Sequence, residues 1–153
     1  LAAAVVAVVP DLDVFGRFAG IPVDSILGHR GVSHSIAAAL VLAMLASCIS
    51  GRPAGWSWRV VFLFLSAVSH GLADMLTDGG KGIALFWPLS ADREFFAFRP
   101  LEVSPIFLRG IANGKLPLVL ASEAIWLLLP FSLLAILFRL GARPHIDLGK
   151  GQS

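Results

Sequence analysis

The chain has 153 residues, of which 57% are hydrophobic and 14% charged, and its formal net charge is +2 at pH 7. Soluble domains are about 45–50% apolar, so this composition indicates an integral membrane protein with several helices. The small, scattered positive charge argues against nucleic-acid binding. The single cysteine, Cys48, excludes an internal disulfide and a cysteine-based zinc site.

Four apolar segments predict an all-α fold, a polytopic transmembrane helical bundle. In chain order they are Leu1 to Val9, Ser35 to Ser50, Trp56 to Leu76 and Leu116 to Leu140. About twenty apolar residues cross a hydrocarbon core of ~30 Å as a helix. The first segment begins inside an apolar run, so we expect a truncated helix there. Residues 1–140 are predicted to form a single membrane-embedded domain, and residues 141–153 a polar C-terminal tail.

The topology brings the two long connections to one side of the membrane. If each segment spans once, loops 10–34 and 77–115 share a face, whereas the link Gly51–Gly55 and the tail lie on the other. The link and tail are rich in arginine. The positive-inside rule therefore favours a cytoplasmic link and tail, with the two loops on the extracytoplasmic face.

The first of these loops opens with two carboxylates, in the run Pro10-Asp11-Leu12-Asp13. Alternate side chains of an extended backbone share a side, so Asp11 and Asp13 could converge on one cation. The alternative is two solvated carboxylates or a helix cap.

The same loop ends in two imidazoles, in the run Gly28-His29-Arg30-Gly31-Val32-Ser33-His34-Ser35. Gly31 permits a turn that brings His29 and His34 together. Neutral imidazole binds zinc, iron or manganese. Arg30 would lie beside the metal and could hold a phosphate or carboxylate oxygen. Ser33 or Ser35 can cap the following helix.

The third segment carries His70 and Asp74, which share one helix face at a spacing of four. An ionisable pair is costly in an apolar segment, so both side chains should face a polar interior. Alternatively, a His–Asp hydrogen bond joins two helices there. A further alternative is that one of the two residues orients a metal ligand through a hydrogen bond without binding the metal itself.

Taken together, these stretches predict a divalent-metal centre with one or two ions, of zinc, manganese or iron. The candidate ligands are Asp11, Asp13, His29, His34, His70 and Asp74. Further candidates are Thr77, Asp78 and Glu123. Arg93 and Arg99 alternate with phenylalanines and could bind a substrate headgroup, or could form ordinary interfacial ion pairs.

The motifs resemble a bacterial family of membrane-bound, metal-dependent hydrolases, also described as LexA-regulated inner-membrane hydrolases. The likeness runs from about Pro10 to Pro105 and depends on PDLD, GHRGVSHS, SHGLADMLTDGG and LFWPL. It implies a multi-pass helical protein of the bacterial inner membrane with a divalent-metal site. By motif, it points to the six candidate ligands named above.

We therefore predict a membrane-bound hydrolase in which the metal activates water. The catalytic residues would be Asp74, His70 and Arg30, with Arg30, Arg93 and Arg99 holding an anionic group. The substrate would be a lipid-linked or membrane-proximal ester, first of all a phosphoester, and the partner a membrane lipid. Two alternatives are a metal or proton transporter using the same residues and a non-catalytic structural or regulatory protein. Clustering of the ionisable groups at one end, without internal repeats, argues against a transporter.

Overall fold

The computed structural model describes residues 1–49, 55–103 and 114–141. The chain divides into two units, Leu1–Val103 and Ser104–Ser153, and each is described by itself. Within the described ranges the regular structure is helical, with two isolated β-bridges and no strand. The all-α prediction is confirmed for this part of the chain. Residues 51–54 of the predicted link, 104–113 of the predicted loop 77–115 and 142–153 of the predicted tail lie outside the described residues.

The described residues of the first unit include three α-helices: α1 (Ala2–Val8), α2 (Ile36–Ile49) and α3 (Trp56–Met75). Helix α3 packs against both of the others. Alanine recurs at the contacts, where its small side chain lets helices approach closely. The core residues are Val6, Ala39, Ala43, Leu63 and Ala67.

The connection from α1 to α2 is helical at both ends. A 3-10 helix spans Val9–Ala19 with Pro10 at its start, and a short one spans Val32–His34. Proline fits the first turn of a helix because the missing N–H would have no partner there. The extended backbone considered for Asp11 and Asp13 is therefore not found. Ser35 caps α2, because its Oγ accepts a hydrogen bond from the Ala38 N–H at 3.1 Å.

The segment after α3 folds back onto this connection. The N–H of Ala84 donates to the Arg30 carbonyl, and the N–H of Ile36 donates to the Leu85 carbonyl. Ile83 and Leu85 pack with Met75 in a small second core. These contacts fix residues 83–85 beside the loop that carries His29 and His34.

In its described part, residues 114–141, the second unit has one long helix in three parts. They are α4 (Leu116–Glu123), a π-helical turn (Ala124–Leu128) and α5 (Leu129–Gly141). The wide turn lies just before Pro130, whose ring cannot fit against the carbonyl of the preceding turn in a regular α-helix. Almost every residue of this helix is exposed.

Among the described residues, this 26-residue helix is the one that is long and apolar enough to cross a membrane. Helix α2 is apolar but has only 14 residues. Helix α3 has 20 residues, but its polar side chains, His70 and Asp74 among them, make it less apolar. The four predicted segments are thus all helical where described, whereas a four-span bundle is not confirmed.

Candidate metal centre

Four side chains from separate stretches meet at one end of the first unit. Asp11 comes from the first 3-10 helix, His34 from the short one, and His70 and Asp74 from the last turns of α3. One nitrogen or oxygen atom from each lies within 4.8 Å of those of the other three. The predicted convergence of the 10–34 loop on the C-terminal end of α3 is therefore present in the structure.

The spacing of these atoms suits a single metal ion. His34 Nε2 lies 3.4 Å from Asp11 Oδ1 and 3.2 Å from Asp74 Oδ2. His70 Nε2 lies 3.3 Å from Asp11 Oδ1 and 3.7 Å from Asp74 Oδ2. Neighbouring ligands about 2.0–2.2 Å from one ion are themselves roughly 3–3.6 Å apart. These four separations are close to those of neighbouring ligands in a first coordination shell, and the whole group spans no more than 4.8 Å.

Three of the four atoms are buried polar groups without a hydrogen bond. His34 Nε2, His70 Nε2 and Asp74 Oδ2 have no hydrogen-bond partner among the described residues. Such a group costs about 1–3 kcal/mol when it is left unsatisfied, so three together require an explanation. Imidazole nitrogen and carboxylate oxygen are common ligands of divalent metals. A metal ion would satisfy all three atoms at once, so the residues present fit one.

Two glycines make possible the turn of residues 28–34, which carries His29 and His34 and is called the histidine turn below. A Cβ atom on Gly31 would lie 2.1 Å from the Ile26 carbonyl oxygen, and one on Gly28 would lie 2.3 Å from the Pro22 carbonyl oxygen. Arg30, between them, has a positive φ of 63°, a conformation that costs energy outside glycine. The turn is therefore specified by its residue types.

Close packing also brings this turn to α3. A Cβ atom on Gly71 would lie 3.3 Å from the His34 carbonyl oxygen and equally close to Ile83 Cδ1. Because glycine follows His70 directly, the backbone of the turn can approach α3 near this ligand.

Asp13 and His29, the other two predicted ligands, lie next to the four-atom group. His29 Nδ1 and Asp13 Oδ1 are 2.6 Å apart. Asp13 Oδ2 accepts hydrogen bonds from the Arg30 N–H, at 3.1 Å, and from the Ser33 hydroxyl. The His29 ring meets the His34 ring edge-on, with centroids 5.7 Å apart. All six predicted residues are thus neighbours, and direct binding of metal by Asp13 and His29 stays a prediction.

The Arg30 guanidinium is bonded inside the protein. Its Nη2 donates to Asp74 Oδ1 at 2.6 Å, and its Nη1 donates to Thr77 Oγ1 at 3.0 Å and to the Gly79 carbonyl at 3.1 Å. A Cβ atom on Gly80 would lie 2.7 Å from Nη1, so the glycine turn fits around the guanidinium. Arg30 therefore holds one oxygen of Asp74 while the other faces the histidines.

The remaining candidates have other surroundings. Arg93 donates to four backbone carbonyls, those of Val23, Ser25, His29 and Gly82. Exposed Arg99 stacks on the Phe95 ring, 4.8 Å from its centroid. Asp78 Oδ1 accepts a hydrogen bond from the Val103 N–H. Glu123 is an exposed residue of the second unit.

Charge is balanced tightly within the centre. Burial lowers the pKa of His34, but the carboxylates of Asp11, Asp13 and Asp74 outweigh it and raise the pKa to about 10. Burial raises the pKa of Asp11 and of Asp13, but the histidines beside them outweigh it and hold both pKa values well below the ordinary range. A metal ion would therefore replace a proton on His34.

The ligand atoms differ in access to solvent. The His34 side chain is fully buried, at 0% exposure, whereas that of Asp11 is 42% exposed. The side chains of His70 and Asp74 lie between, at 21% and 13%. A small molecule would therefore reach the group from the side of Asp11.

Ser33 is the contact that the sequence did not reveal. It was a candidate helix cap, but Ser35 caps α2, and the Ser33 hydroxyl lies between Asp13 and His34. The HRGVSH spacing gives no sign of this bridge, because the bridge depends on the tight turn at Gly31.

Comparison with known proteins supports a bacterial inner-membrane family. The model of the YdjM inner membrane protein family matches residues 1–146. Inner membrane protein YbcI of Escherichia coli (strain K12) is 36% identical over 132 residues, covering 85% of this chain and 76% of that protein. Inner membrane protein YdjM of the same strain is 40% identical over 70 residues, covering 44% of this chain and 34% of that protein. No solved structure matches.

Proposed function

This chain belongs to the YdjM inner membrane protein family, and on that premise we propose that it is a membrane-bound, metal-dependent hydrolase of the bacterial inner membrane. One divalent ion would be held by Asp11, His34, His70 and Asp74. The proposed substrate is a lipid-linked or membrane-proximal ester, with a phosphoester as the first class to test.

One observation carries the proposal. Buried ligand atoms of His34, His70 and Asp74 converge without hydrogen bonds, beside the partly exposed carboxylate of Asp11. These atoms lie at ion-pair distances from one another, such as 3.2 Å between His34 Nε2 and Asp74 Oδ2, yet none of them makes a well-oriented hydrogen bond within the described part of the chain. Their arrangement therefore favours an ion-binding site over a structural contact.

The chemistry follows from the ligand set. A bound divalent metal supplies Lewis acidity, which activates water and stabilises negative charge on a phosphoryl or carbonyl oxygen. Asp74 is fixed by Arg30 on its other oxygen, and His34 is fixed through Ser33 and Asp13. Asp11, the most exposed of the four, lies where a substrate would enter.

Apolar surface near the site supports a lipid substrate. Ile83 to Leu85 are buried beside the histidine turn, whereas Phe86 and Leu89 just beyond are 50% and 92% exposed. Exposed apolar side chains in an inner-membrane protein suit contact with lipid. Of the three predicted substrate-binding arginines, Arg99 is the exposed one, whereas Arg30 would have to leave Asp74 to bind an anion.

The proposal includes a multi-pass topology with the centre at the extracytoplasmic face. It needs α2 and α3 to cross or enter the bilayer in addition to the long helix of the second unit. Large apolar side chains on their outer faces, such as Leu45 on α2 and Phe62 on α3, are well exposed and support this arrangement.

The test uses the full chain purified in detergent. Elemental analysis should find a divalent transition metal, and hydrolysis of lipid phosphoesters should stop on chelation and return with metal. His70→Ala should lose metal and activity, whereas Ser69→Ala, which removes an exposed hydroxyl bonded to the Ser66 carbonyl, should keep both. Absence of metal from the wild-type protein would refute the centre. Metal without cleavage of any ester, combined with ion uptake into vesicles, would favour a transporter.

A further inference from the structure

Asp13 makes several hydrogen bonds next to the proposed metal centre, on the Nδ1 side of His34. Its side chain is 10% exposed, and each of its oxygens is already bonded within the protein. Oδ1 pairs with His29 Nδ1, and Oδ2 accepts from the Arg30 N–H and the Ser33 hydroxyl. Oδ2 also lies 3.3 Å from His34 Nδ1. Asp13 therefore contacts the face of His34 that points away from the other ligand atoms.

The direction of these hydrogen bonds fixes the position of a proton. An ionised carboxylate can only accept, so the Ser33 hydroxyl must donate its single proton to Asp13. The Ser33 oxygen lies 3.0 Å from His34 Nδ1 and can therefore only accept a hydrogen bond from that nitrogen. His34 must therefore carry its proton on Nδ1 in the neutral ring, which leaves the Nε2 lone pair directed at Asp11, His70 and Asp74.

Local backbone geometry explains why Asp13 lies at His34 Nδ1 and not among the four converging ligand atoms. In the 3-10 helix Val9–Ala19, residues two apart point in different directions, because a turn takes three residues. Asp11 thus reaches the Nε2 atoms of His34 and His70, whereas Asp13 reaches His34 Nδ1. The left-handed conformation of Arg30 is found where its N–H donates to Asp13.

We propose that Asp13 is a positioning residue, which through Ser33 fixes the tautomer and orientation of His34 and thereby sets the affinity of the centre for its metal. The inference rests on the proposed metal centre, but not on the reaction. Carboxylates that orient a ligating histidine typically change metal affinity by about 10–100-fold when they are replaced.

The test compares zinc affinity among variants of the full chain, by competition with a chromophoric chelator in detergent. Asp13→Asn keeps the shape of the side chain but presents an amide N–H, so affinity should fall about 10–100-fold while saturating zinc still gives the wild-type stoichiometry. Ser33→Ala should weaken affinity less, because Asp13 Oδ2 remains close to His34 Nδ1. Asp92→Asn, an exposed carboxylate paired with Ser90, is the matched control and should bind zinc normally.

Each result has one meaning. If wild-type protein binds no zinc, the metal centre itself fails. If it binds zinc and Asp13→Asn binds within threefold of it, the positioning role fails alone. Complete loss of zinc at saturation, with helical content intact, would make Asp13 a ligand and overturn the proposal.

If Asp13→Asn does not fold, nitrogen-15 NMR of the zinc-loaded wild-type protein decides. Protonated Nδ1 and metal-bound Nε2 on His34 would support the proposal. The opposite tautomer would overturn it.

Discussion

His34 Nε2 and Asp74 Oδ2 lie 3.2 Å apart in the interior, and neither atom has a hydrogen-bond partner among the described residues. The other side of each residue is firmly held, His34 through Ser33 and Asp74 by Arg30. Two side chains that are held by hydrogen bonds on one side therefore direct atoms without hydrogen bonds at the same point. This relationship supports the proposed metal centre.

Replacing Asp74 should damage folding more than replacing His70. Asp74→Ala removes the proposed ligand and also leaves the buried Arg30 guanidinium without its carboxylate. Breaking a buried ion pair from one side costs about 3–5 kcal/mol. His70→Ala leaves that pair intact and should mainly lose metal.

Thermal unfolding of both variants in detergent, each with and without chelator, checks this order. Equal loss of Tm in the metal-free variants would contradict the role assigned to Arg30.

Gly31→Ala should disrupt the histidine turn. The new methyl group would lie 2.1 Å from the Ile26 carbonyl oxygen, and both atoms belong to a tightly bonded turn. We expect destabilisation of about 2 kcal/mol or more, together with weaker metal binding. Gly141→Ala is the control, because its Cβ would meet nothing within 4 Å. Similar Tm and metal content in both variants would show that the turn tolerates side chains.

Arg93 should stabilise the loop that carries His29. Its guanidinium donates to the carbonyls of Val23, Ser25, His29 and Gly82. Arg93→Ala should therefore speed proteolysis within residues 22–28 and accelerate metal release. Arg99→Ala, which removes an exposed guanidinium stacked on Phe95, should change neither. Unchanged proteolysis in Arg93→Ala, with a raised KM for an anionic lipid, would instead support substrate binding by Arg93.

The metal-free protein should lose stability as the pH rises. The pKa of His34 is 6.5 when unperturbed and about 10 in the folded protein, so its stabilising contribution is complete below pH 6.5 and is lost as the pH rises through 10. The lowered pKa values of Asp11 and Asp13 act in the opposite range, since their contributions are lost only on acidification below 3.8. Tm in chelator should therefore fall between pH 6.5 and pH 10, and His34→Gln should flatten the decline.

Metal binding should show the reverse dependence. Because the metal displaces a proton from His34, apparent zinc affinity should rise with pH, by up to about tenfold per pH unit, until pH 10 is approached. Zinc titrations at several pH values measure the slope. An affinity independent of pH would mean that His34 releases no proton on binding.

The apolar pattern predicted the helices closely. The segment Trp56 to Leu76 corresponds to α3 at Trp56–Met75, and Leu116 to Leu140 to the long helix ending at Gly141. Helical periodicity also placed His70 and Asp74 on one face. These features are local, so the sequence carries them directly.

Tertiary contacts were harder to predict. The sequence predicts that Arg30 binds an anion. In the structure its guanidinium donates hydrogen bonds to Asp74, Thr77 and Gly79, which follow much later in the chain. Asp11 and Asp13 could share a cation only in an extended backbone, whereas the 3-10 helix Val9–Ala19, with Pro10 in its first turn, points them in different directions. Whether α2 and α3 cross the membrane depends on packing and surroundings, which helix length and apolarity do not fix.

X-ray absorption spectroscopy of the purified, metal-loaded protein tests the central claim most directly. The account predicts one divalent ion per chain with nitrogen and oxygen ligands at about 2.0–2.2 Å, including the scattering signature of two imidazoles. A protein that binds no metal, or a spectrum without histidine ligands, would contradict the account.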